Sequence, residues 1–143
     1  MAEVQTYATH RRFHPIFHFV GFPLAILALG WTIRGLYKSP SLDTTMELLA
    51  AFVLVLAIFL ARYYGLRVQD RLIRLEETLR MKTILPSDLQ ARIGELRPGQ
   101  FVGLRFASDG ELADRVREAL DEKLGGEDVK KRIQTWRGDY FRV

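Results

Sequence analysis

The sequence predicts an all-α membrane protein: a transmembrane helical hairpin whose second span extends into a long amphipathic helix, followed by a small helical cytoplasmic subdomain. Two observations predict this class. Apolar residues are concentrated in the first 65 positions, while charged residues crowd the rest of the 143-residue chain. An amphipathic repeat follows the second of two apolar runs. We divide the chain into an N-terminal cytoplasmic segment (1–15), the hairpin (16–64), the amphipathic extension (65–85) and the cytoplasmic subdomain (86–143).

Both apolar runs are candidates for membrane spans. The first covers residues 16–33, and the second covers residues 48–61 and reaches spanning length when its flanks lie in the interfaces. A bilayer core requires about 20 mostly apolar residues. The competing interpretation is a soluble protein with two buried helices. The first run is longer than the apolar region of a usual signal peptide and another run follows it, so we expect it to be retained.

Charge predicts the orientation of the spans. The connector, residues 34–47, carries two basic and two acidic residues, whereas residues 62–82 carry six basic and three acidic ones. Arg11 and Arg12 add positive charge before the first run. The positive-inside rule therefore places both termini in the cytoplasm. Contact with anionic membrane lipid explains the basic balance more simply than nucleic acid, for which we find no zinc-finger spacing or aromatic-interleaved basic motif.

Four residues of the extension form an apolar stripe on one helix face. Val68, Leu72, Leu75 and Leu79 are separated by four, three and four residues, the pattern of a helix that packs against another element. Two heptads are short for a stable coiled coil. The pattern leaves two candidate occupants for this apolar stripe, a partner protein and the protein's own tail.

The tail after Pro86 predicts a set of short helices. Pro86 breaks the long helix because it removes a backbone donor. A subdomain of about sixty residues buries too little surface to be very stable unless it packs against another part of the protein or a partner. We expect helices from Ser87 to Gly94, from Pro98 onward, from a capping box at Ser108 and Glu111 to Gly125, and from about Glu127 to Trp136.

Four stretches of the sequence form a distinctive pattern: Gln5-x-Tyr7-x-x-His10-x-Arg12-x-x-Pro15-x-x-His18, residues 69–76 (QDRLIRLE), residues 104–109 (LRFASD) and the ending from Trp136 to Val143. They resemble a known family of small bacterial two-span membrane proteins, classed as a domain of unknown function. The resemblance implies a bacterial inner-membrane location and an all-helical hairpin with a cytoplasmic tail, and it implies no activity. His14 does not belong to the pattern.

The three histidines, His10, His14 and His18, are spaced four apart. Pro15 disfavours helical geometry at His14, so the three do not form one continuous helical face. The chain has no cysteine, and the nearby carboxylate is Glu3, which argues against a zinc site. His18 is the candidate cofactor-binding residue, as axial ligand of a chlorophyll-type pigment. The competing interpretation is that the histidines lie at headgroup level and contact lipid or a neighbouring subunit.

The sequence contains no G-x-S-x-G, P-loop, CxxC or HExxH motif. We expect a non-catalytic accessory or structural subunit of a larger membrane protein complex, of photosynthetic or respiratory type. One alternative is a tetrapyrrole-binding subunit in energy or electron transfer, with His18 as ligand. Another is a self-associating membrane scaffold, a homo-oligomer. The residues expected to contact a partner or lipid are His10, Arg12, Val68, Arg71, Leu72, Arg74, Leu75, Leu79, Arg105 and Trp136.

Overall fold

The computed structural model describes residues 5–10 and 13–140, which are mainly helical, with turns, short irregular stretches and one isolated bridge. By contacts the chain divides into two compact units. The hairpin unit is Arg12–Leu66, and the tail unit is Met1–Arg11 with Arg67–Val143. The elements are a π-helical turn Ile16–Gly21, α1 Phe22–Lys38, α2 Leu42–Ile84, α3 Ser87–Arg92, a 3₁₀ turn Ile93–Glu95, α4 Pro98–Leu104, α5 Leu112–Asp121 and α6 Gly126–Arg132.

Two helices are long and apolar enough to cross a membrane, Ile16–Lys38 and Leu42–Ile84. The connector between them is shorter than composition suggests, because both helices extend into it. Ser41 Oγ accepts the Thr44 backbone N–H at 3.1 Å, and Thr44 Oγ1 accepts the Ser41 N–H at 3.0 Å. This reciprocal cap satisfies donors at the start of α2, so the helix begins directly after the turn.

The first apolar helix opens with a widened turn at Ile16–Gly21. The Phe22 backbone N–H donates to the Phe17 carbonyl, five residues back. Pro23 accounts for this turn, because its ring clashes with the carbonyl four residues earlier and it offers no N–H. His14 lies just before the helix, as Pro15 predicts, and its Nδ1 accepts the Phe17 N–H at 3.3 Å.

The tail unit has an apolar core built from the C-terminal end of α2 and from α3 to α6. Helices α4 and α6 approach each other closely at Gly103, where a Cβ atom would lie 2.7 Å from the Gly126 carbonyl oxygen. The large side chains that are fully buried in the core of the tail unit are Met81, Leu89, Phe101, Leu104, Phe106, Leu112, Val116 and Val129.

The capping box expected at Ser108 and Glu111 does not form. The Glu111 carboxylate instead accepts the backbone N–H groups of Gln134 at 3.1 Å and Thr135 at 2.9 Å. The Ser108 N–H donates to the Thr135 carbonyl at 3.0 Å. A tertiary bridge to residues 134–136 has therefore taken both partners of the predicted local cap.

Two helices end earlier than expected. Helix α5 ends at Asp121 rather than near Gly125, because Lys123 adopts a left-handed conformation (φ 53°). Helix α6 ends at Arg132 rather than Trp136. Beyond it, residues 133–136 are drawn into the extended pairing of Ala107 with Trp136.

Candidate functional site

The apolar stripe lies on the face of α2 that the tail leaves uncovered. The exposed fractions of Val68, Leu72, Leu75 and Leu79 are 67%, 52%, 57% and 59%. On the opposite face of the same helix, Ile73 and Met81 are buried. Of the two occupants that the sequence left open, the described part of the protein's own tail is not the one that covers the stripe.

A charge network fixes the tail to the back of α2. The buried Glu77 carboxylate accepts Arg80 Nη1 at 2.9 Å and Arg137 Nη1 at 3.1 Å. Arg80 also donates through Nη2 to the Ala107 carbonyl at 2.7 Å and pairs with Asp109. A buried charge is stable only when it is paired and hydrogen-bonded. The tail is therefore held at one position on α2, away from the stripe.

His10 lies in the interior of the tail unit, where its side chain is 4% exposed. Its Nδ1 lies 2.6 Å from the Tyr7 carbonyl oxygen, which can only accept, so Nδ1 carries the proton. The ring centroid lies 5.7 Å from those of both Phe106 and Trp136. Lys130 Nζ lies 3.5 Å from His10 Nε2. These contacts join the N-terminal segment to the tail core.

Arg105 and Trp136 also point into the tail unit. Arg105 is buried, its guanidinium lies 4.4 Å from the Phe106 ring centroid, and its Nε lies 2.9 Å from the Asp139 carboxylate. Trp136 packs at 5.0 Å on Phe106 and donates Nε1–H to the Ile133 carbonyl at 3.2 Å. Both side chains act as internal contacts of the tail.

Of the remaining expected contact residues, Arg71 and Arg74 are exposed on α2. The Arg74 guanidinium lies 5.7 Å from the Phe101 ring centroid, which places it on the tail side of the helix. Arg12 lies outside the described residues.

His18 lies in the widened turn at the start of the first apolar helix. Its Nδ1 lies 2.9 Å from the His14 carbonyl oxygen and 3.0 Å from the His14 backbone nitrogen. The rings of Phe13 and Phe17 pack edge-on to it, with centroids at 5.2 and 4.9 Å. Nδ1 is engaged by backbone, so Nε2 is the nitrogen that remains for a ligand.

Metal binding is not supported by the geometry of the described residues. No three histidine, aspartate or glutamate side chains within residues 5–10 and 13–140 converge on a point. His10 belongs to the tail unit, whereas His14 and His18 belong to the hairpin unit.

Exposed ion pairs join the short helices of the tail. Arg132 makes two hydrogen bonds of 2.6 Å to the Glu122 carboxylate, and these bonds lower the pKa of Glu122 and raise that of Arg132. Hydrogen bonds from Arg92 to Glu95 and Asp121 raise the Arg92 pKa. Arg92 thereby connects α3 to the end of α5.

A cleft of about 440 Å³ lies beside the charge network of Glu77. Three arginines line it, Arg80, Arg105 and Arg137, but so do three carboxylates, Glu76, Glu77 and Asp139. Because the charges balance, the cleft does not favour an anionic ligand. The exposed apolar stripe is the feature of the tail unit that its own packing leaves unused.

Comparison with known sequences assigns the chain to a protein family. A sequence model described as a family of unknown function, DUF6526, matches residues 1–143. The chain belongs to this family. No curated protein and no solved structure matches this DUF6526 chain. The resemblance drawn from the sequence is confirmed at that level: a family of unknown function, here with two helices apolar enough for a two-span protein.

In the structure of this DUF6526 chain, stretches that are far apart in the sequence contact one another. The Gln5 side-chain amide donates to the Asp139 carbonyl at 3.1 Å and accepts the Asp139 N–H at 2.9 Å. His10 packs on Phe106 and Trp136, as described above. The N-terminal segment, residues 104–109 and the C-terminal stretch therefore meet in one cluster of the tail unit.

Sequence reasoning missed this cluster, because nothing local signals a contact across 134 positions between Gln5 and Asp139. A usable signal was the composition of the N-terminal segment. Tyr7 and His10 are large ring side chains, and a segment that stays disordered in solvent has few of these.

Proposed function

We propose that this protein is a non-catalytic structural subunit of a larger membrane protein complex. In this proposal two spans anchor the chain in a bacterial inner membrane, both termini lie in the cytoplasm, and the cytoplasmic part of α2 presents a binding face. One observation carries the proposal: the apolar stripe stays exposed although the tail core is complete without it.

The membrane anchor is supported by how little of the two apolar helices is covered. Within each apolar window only 6% of the residues are buried, whereas a core helix of a soluble protein is mostly buried. Side chains as apolar as Leu24, Leu27 and Phe52 are more than half exposed. Lipid is the environment in which such a surface is stable.

The contact between the N-terminal segment and the tail supports an even number of crossings. Gln5 and His10 precede the first apolar helix, while Asp139 and Trp136 follow the second. Groups in hydrogen-bond or ring contact lie on the same side of a membrane. Two spans satisfy this condition, and the excess of basic residues on that side favours the cytoplasm.

The stripe supports a binding role because exposed apolar surface on a membrane-proximal helix has a cost in water. Soluble surfaces rarely keep a contiguous apolar patch unless it binds something. Arg71 and Glu76 flank the stripe and are exposed, which resembles the charged rim of a protein interface. A partner protein therefore fits this face better than free solvent.

Native purification tests the proposal. The full chain is tagged in its own membrane and extracted in mild detergent, and the mass and subunit content of the product are measured. We expect an assembly well above the 16.5 kDa of one chain, with foreign subunits in fixed stoichiometry. Leu72→Asn combined with Leu75→Asn lowers the mass, whereas Ile84→Asn, outside the stripe, leaves it unchanged. A product that contains this chain alone would contradict the proposal.

A second candidate function rests on His18. Backbone engagement of Nδ1 and a free Nε2 direction are the arrangement of an imidazole that serves as an axial ligand. A chlorophyll-type pigment needs one such ligand. In this alternative the natively purified protein has a visible spectrum that His18→Ala removes, whereas His14→Ala retains it. An identical spectrum in the His18→Ala protein would exclude the pigment.

A further inference from the structure

The apolar stripe has the register of a two-stranded coiled coil. Leu72 and Leu79 fall at a positions, and Val68 and Leu75 fall at d positions of the heptad repeat. Ile73, Glu77 and Met81 then fall at b, f and c, on the outer side, and these three are buried in the tail unit. The tail thus occupies the side of α2 that a coiled-coil partner never contacts.

The flanking charges identify the kind of partner. Arg71 falls at a g position, and Glu76 falls at the e position of the following heptad, five residues later. In a parallel, in-register pair of helices, each g side chain faces the e side chain five residues on in the other helix. Two copies of α2 would therefore place Arg71 of each chain beside Glu76 of the other.

Neither flanking side chain is paired in the part of the chain that the structure describes, although Glu76 also borders the cleft beside Glu77. Both are exposed, and within residues 5–10 and 13–140 neither Arg71 nor Glu76 makes an ion pair or a hydrogen bond through its side chain. Neighbouring charged residues of the same helix, Glu77 and Arg80, are by contrast fully engaged with the tail. Arg71 and Glu76 are therefore available to pair with Glu76 and Arg71 of a second copy.

The parallel arrangement follows from the membrane, and this step rests on the proposed function. Copies that cross one bilayer with the same topology present their α2 helices in the same direction. Anchoring also raises the effective concentration of each copy for the other. Two heptads, too few for stable pairing of free helices in water, are then sufficient.

We propose that a second copy of this chain occupies the apolar stripe, with the two α2 helices parallel and in register and Arg71 of each copy paired with Glu76 of the other. The protein enters its complex as this homotypic pair. The surfaces that remain for foreign subunits are the spans and the outer face of the tail.

Single cysteines test the pairing, since the chain has none of its own. The full chain with Leu75→Cys is expressed in its native membrane and mildly oxidised. We expect a disulfide-linked homodimer. Arg67→Cys is the matched control, because it is exposed on the same helix but falls at a c position, outside the pair; it cross-links far less. Equal cross-linking of the two variants, or a link from Leu75→Cys to a foreign protein, overturns the proposal.

Charge reversal tests the register. In the Leu75→Cys background, Arg71→Glu alone and Glu76→Arg alone each place like charges together at two symmetric sites. Each is expected to reduce the pairing equilibrium about tenfold, because like-charge contacts replace two exposed ion pairs between the helices. The double variant restores opposite charges and recovers the cross-link. Failure of the double variant to recover it rules out the in-register pair.

The two proposals fail separately. A homodimer in native membranes whose purified assembly holds this chain alone supports the pair and contradicts the accessory-subunit function. Foreign subunits in the assembly without a homotypic link support that function and overturn the pair.

Discussion

Lys123 adopts the left-handed backbone conformation at the end of α5, with φ 53°. The Leu124 N–H donates to the Ala119 carbonyl at 3.2 Å, and the Lys123 N–H to the Leu120 carbonyl at 3.4 Å. This is a Schellman cap, in which glycine is preferred at the position of Lys123. A residue with a Cβ atom is strained there. The sequence predicted the end of the helix at Gly125, two positions later.

Replacement of Lys123 by glycine is therefore expected to stabilise the tail unit, by about 0.5–1 kcal/mol. The Arg97 Nη2 hydrogen bond to the Lys123 carbonyl, at 2.6 Å, is kept because it uses backbone. Denaturant unfolding of the full chain in detergent, followed by Trp136 fluorescence in a Trp31→Phe background, measures the change. Lys123→Ala, which keeps the strain, serves as control. Equal stability of the glycine and alanine variants would show that the backbone is not strained.

The Glu122–Arg132 pair predicts a pH dependence. Because hydrogen bonds from Arg132 hold the pKa of Glu122 below its ordinary value of 4.5, the folded state favours the charged carboxylate. Its stabilising contribution is present above pH 4.5 and is lost as the pH falls through the lower folded-state pKa. Glu122→Gln is expected to be less stable than wild type at pH 7, and the gap should close in acid. A gap of constant size from pH 7 to pH 3 would contradict this origin.

At the scale of elements, the close approach of α4 and α6 depends on Gly103. A Cβ atom there meets the Gly126 carbonyl oxygen and the Val129 side chain, so a neighbour has to shift. Gly103→Ala is expected to destabilise the tail by about 1–3 kcal/mol, the cost of overpacking. Gly99→Ala in the same helix has open space around its Cβ and is the control. Denaturant midpoints that match for the two variants would show that α4 and α6 do not pack this closely.

The sequence predicts a helix boundary correctly where no residue from elsewhere in the fold competes for the capping groups. Pro15, Pro86 and Pro98 fix helix boundaries wherever they occur, because proline acts through its own ring. The prediction of a capping box at Ser108 and Glu111 was wrong, because both residues form hydrogen bonds with the distant Thr135 instead. Pro23 explains the π-helical turn at Ile16–Gly21. The sequence did not predict this turn, because a uniformly apolar run has no hydrophobic periodicity that would distinguish a π-helical turn from an α-helical one.

For the candidate site, the spacing of Val68 to Leu79 gave the apolar stripe, but not which face of α2 the tail covers. The burial of Met81 in the tail core and the hydrogen bond from Arg137 to Glu77, which lie 60 positions apart, determine that face. The placement of His10 beside Trp136 depends on a similarly distant contact. Helical period shows what shares a face, whereas long-range pairing decides which face is buried.

At the scale of the whole molecule, the N-terminal segment and the tail belong to one compact unit. His10→Ala removes a buried ring and the hydrogen bond from His10 Nδ1 to the Tyr7 carbonyl, whereas Lys130 keeps its ion pair with Glu127. We expect a loss of about 2 kcal/mol in tail stability, comparable to other losses of a buried, hydrogen-bonded side chain. Limited proteolysis should then cut within residues 5–15 faster than in wild type. His14→Ala, in the hairpin unit, is the control. Unchanged cleavage in the His10→Ala chain would show that the segment is not held by this residue.

If a protein covers the apolar stripe on the cytoplasmic part of α2, cysteines placed on the stripe are protected from reagents in water, and labelling in native membranes measures this protection. Leu72→Cys, Leu75→Cys and the control Arg67→Cys are treated with a water-soluble maleimide before and after the assembly is dissociated in detergent. We expect slow labelling of both stripe cysteines in membranes, rapid labelling after dissociation, and rapid labelling of the control throughout. Stripe cysteines that label as fast as Arg67→Cys in the native membrane would contradict this expectation.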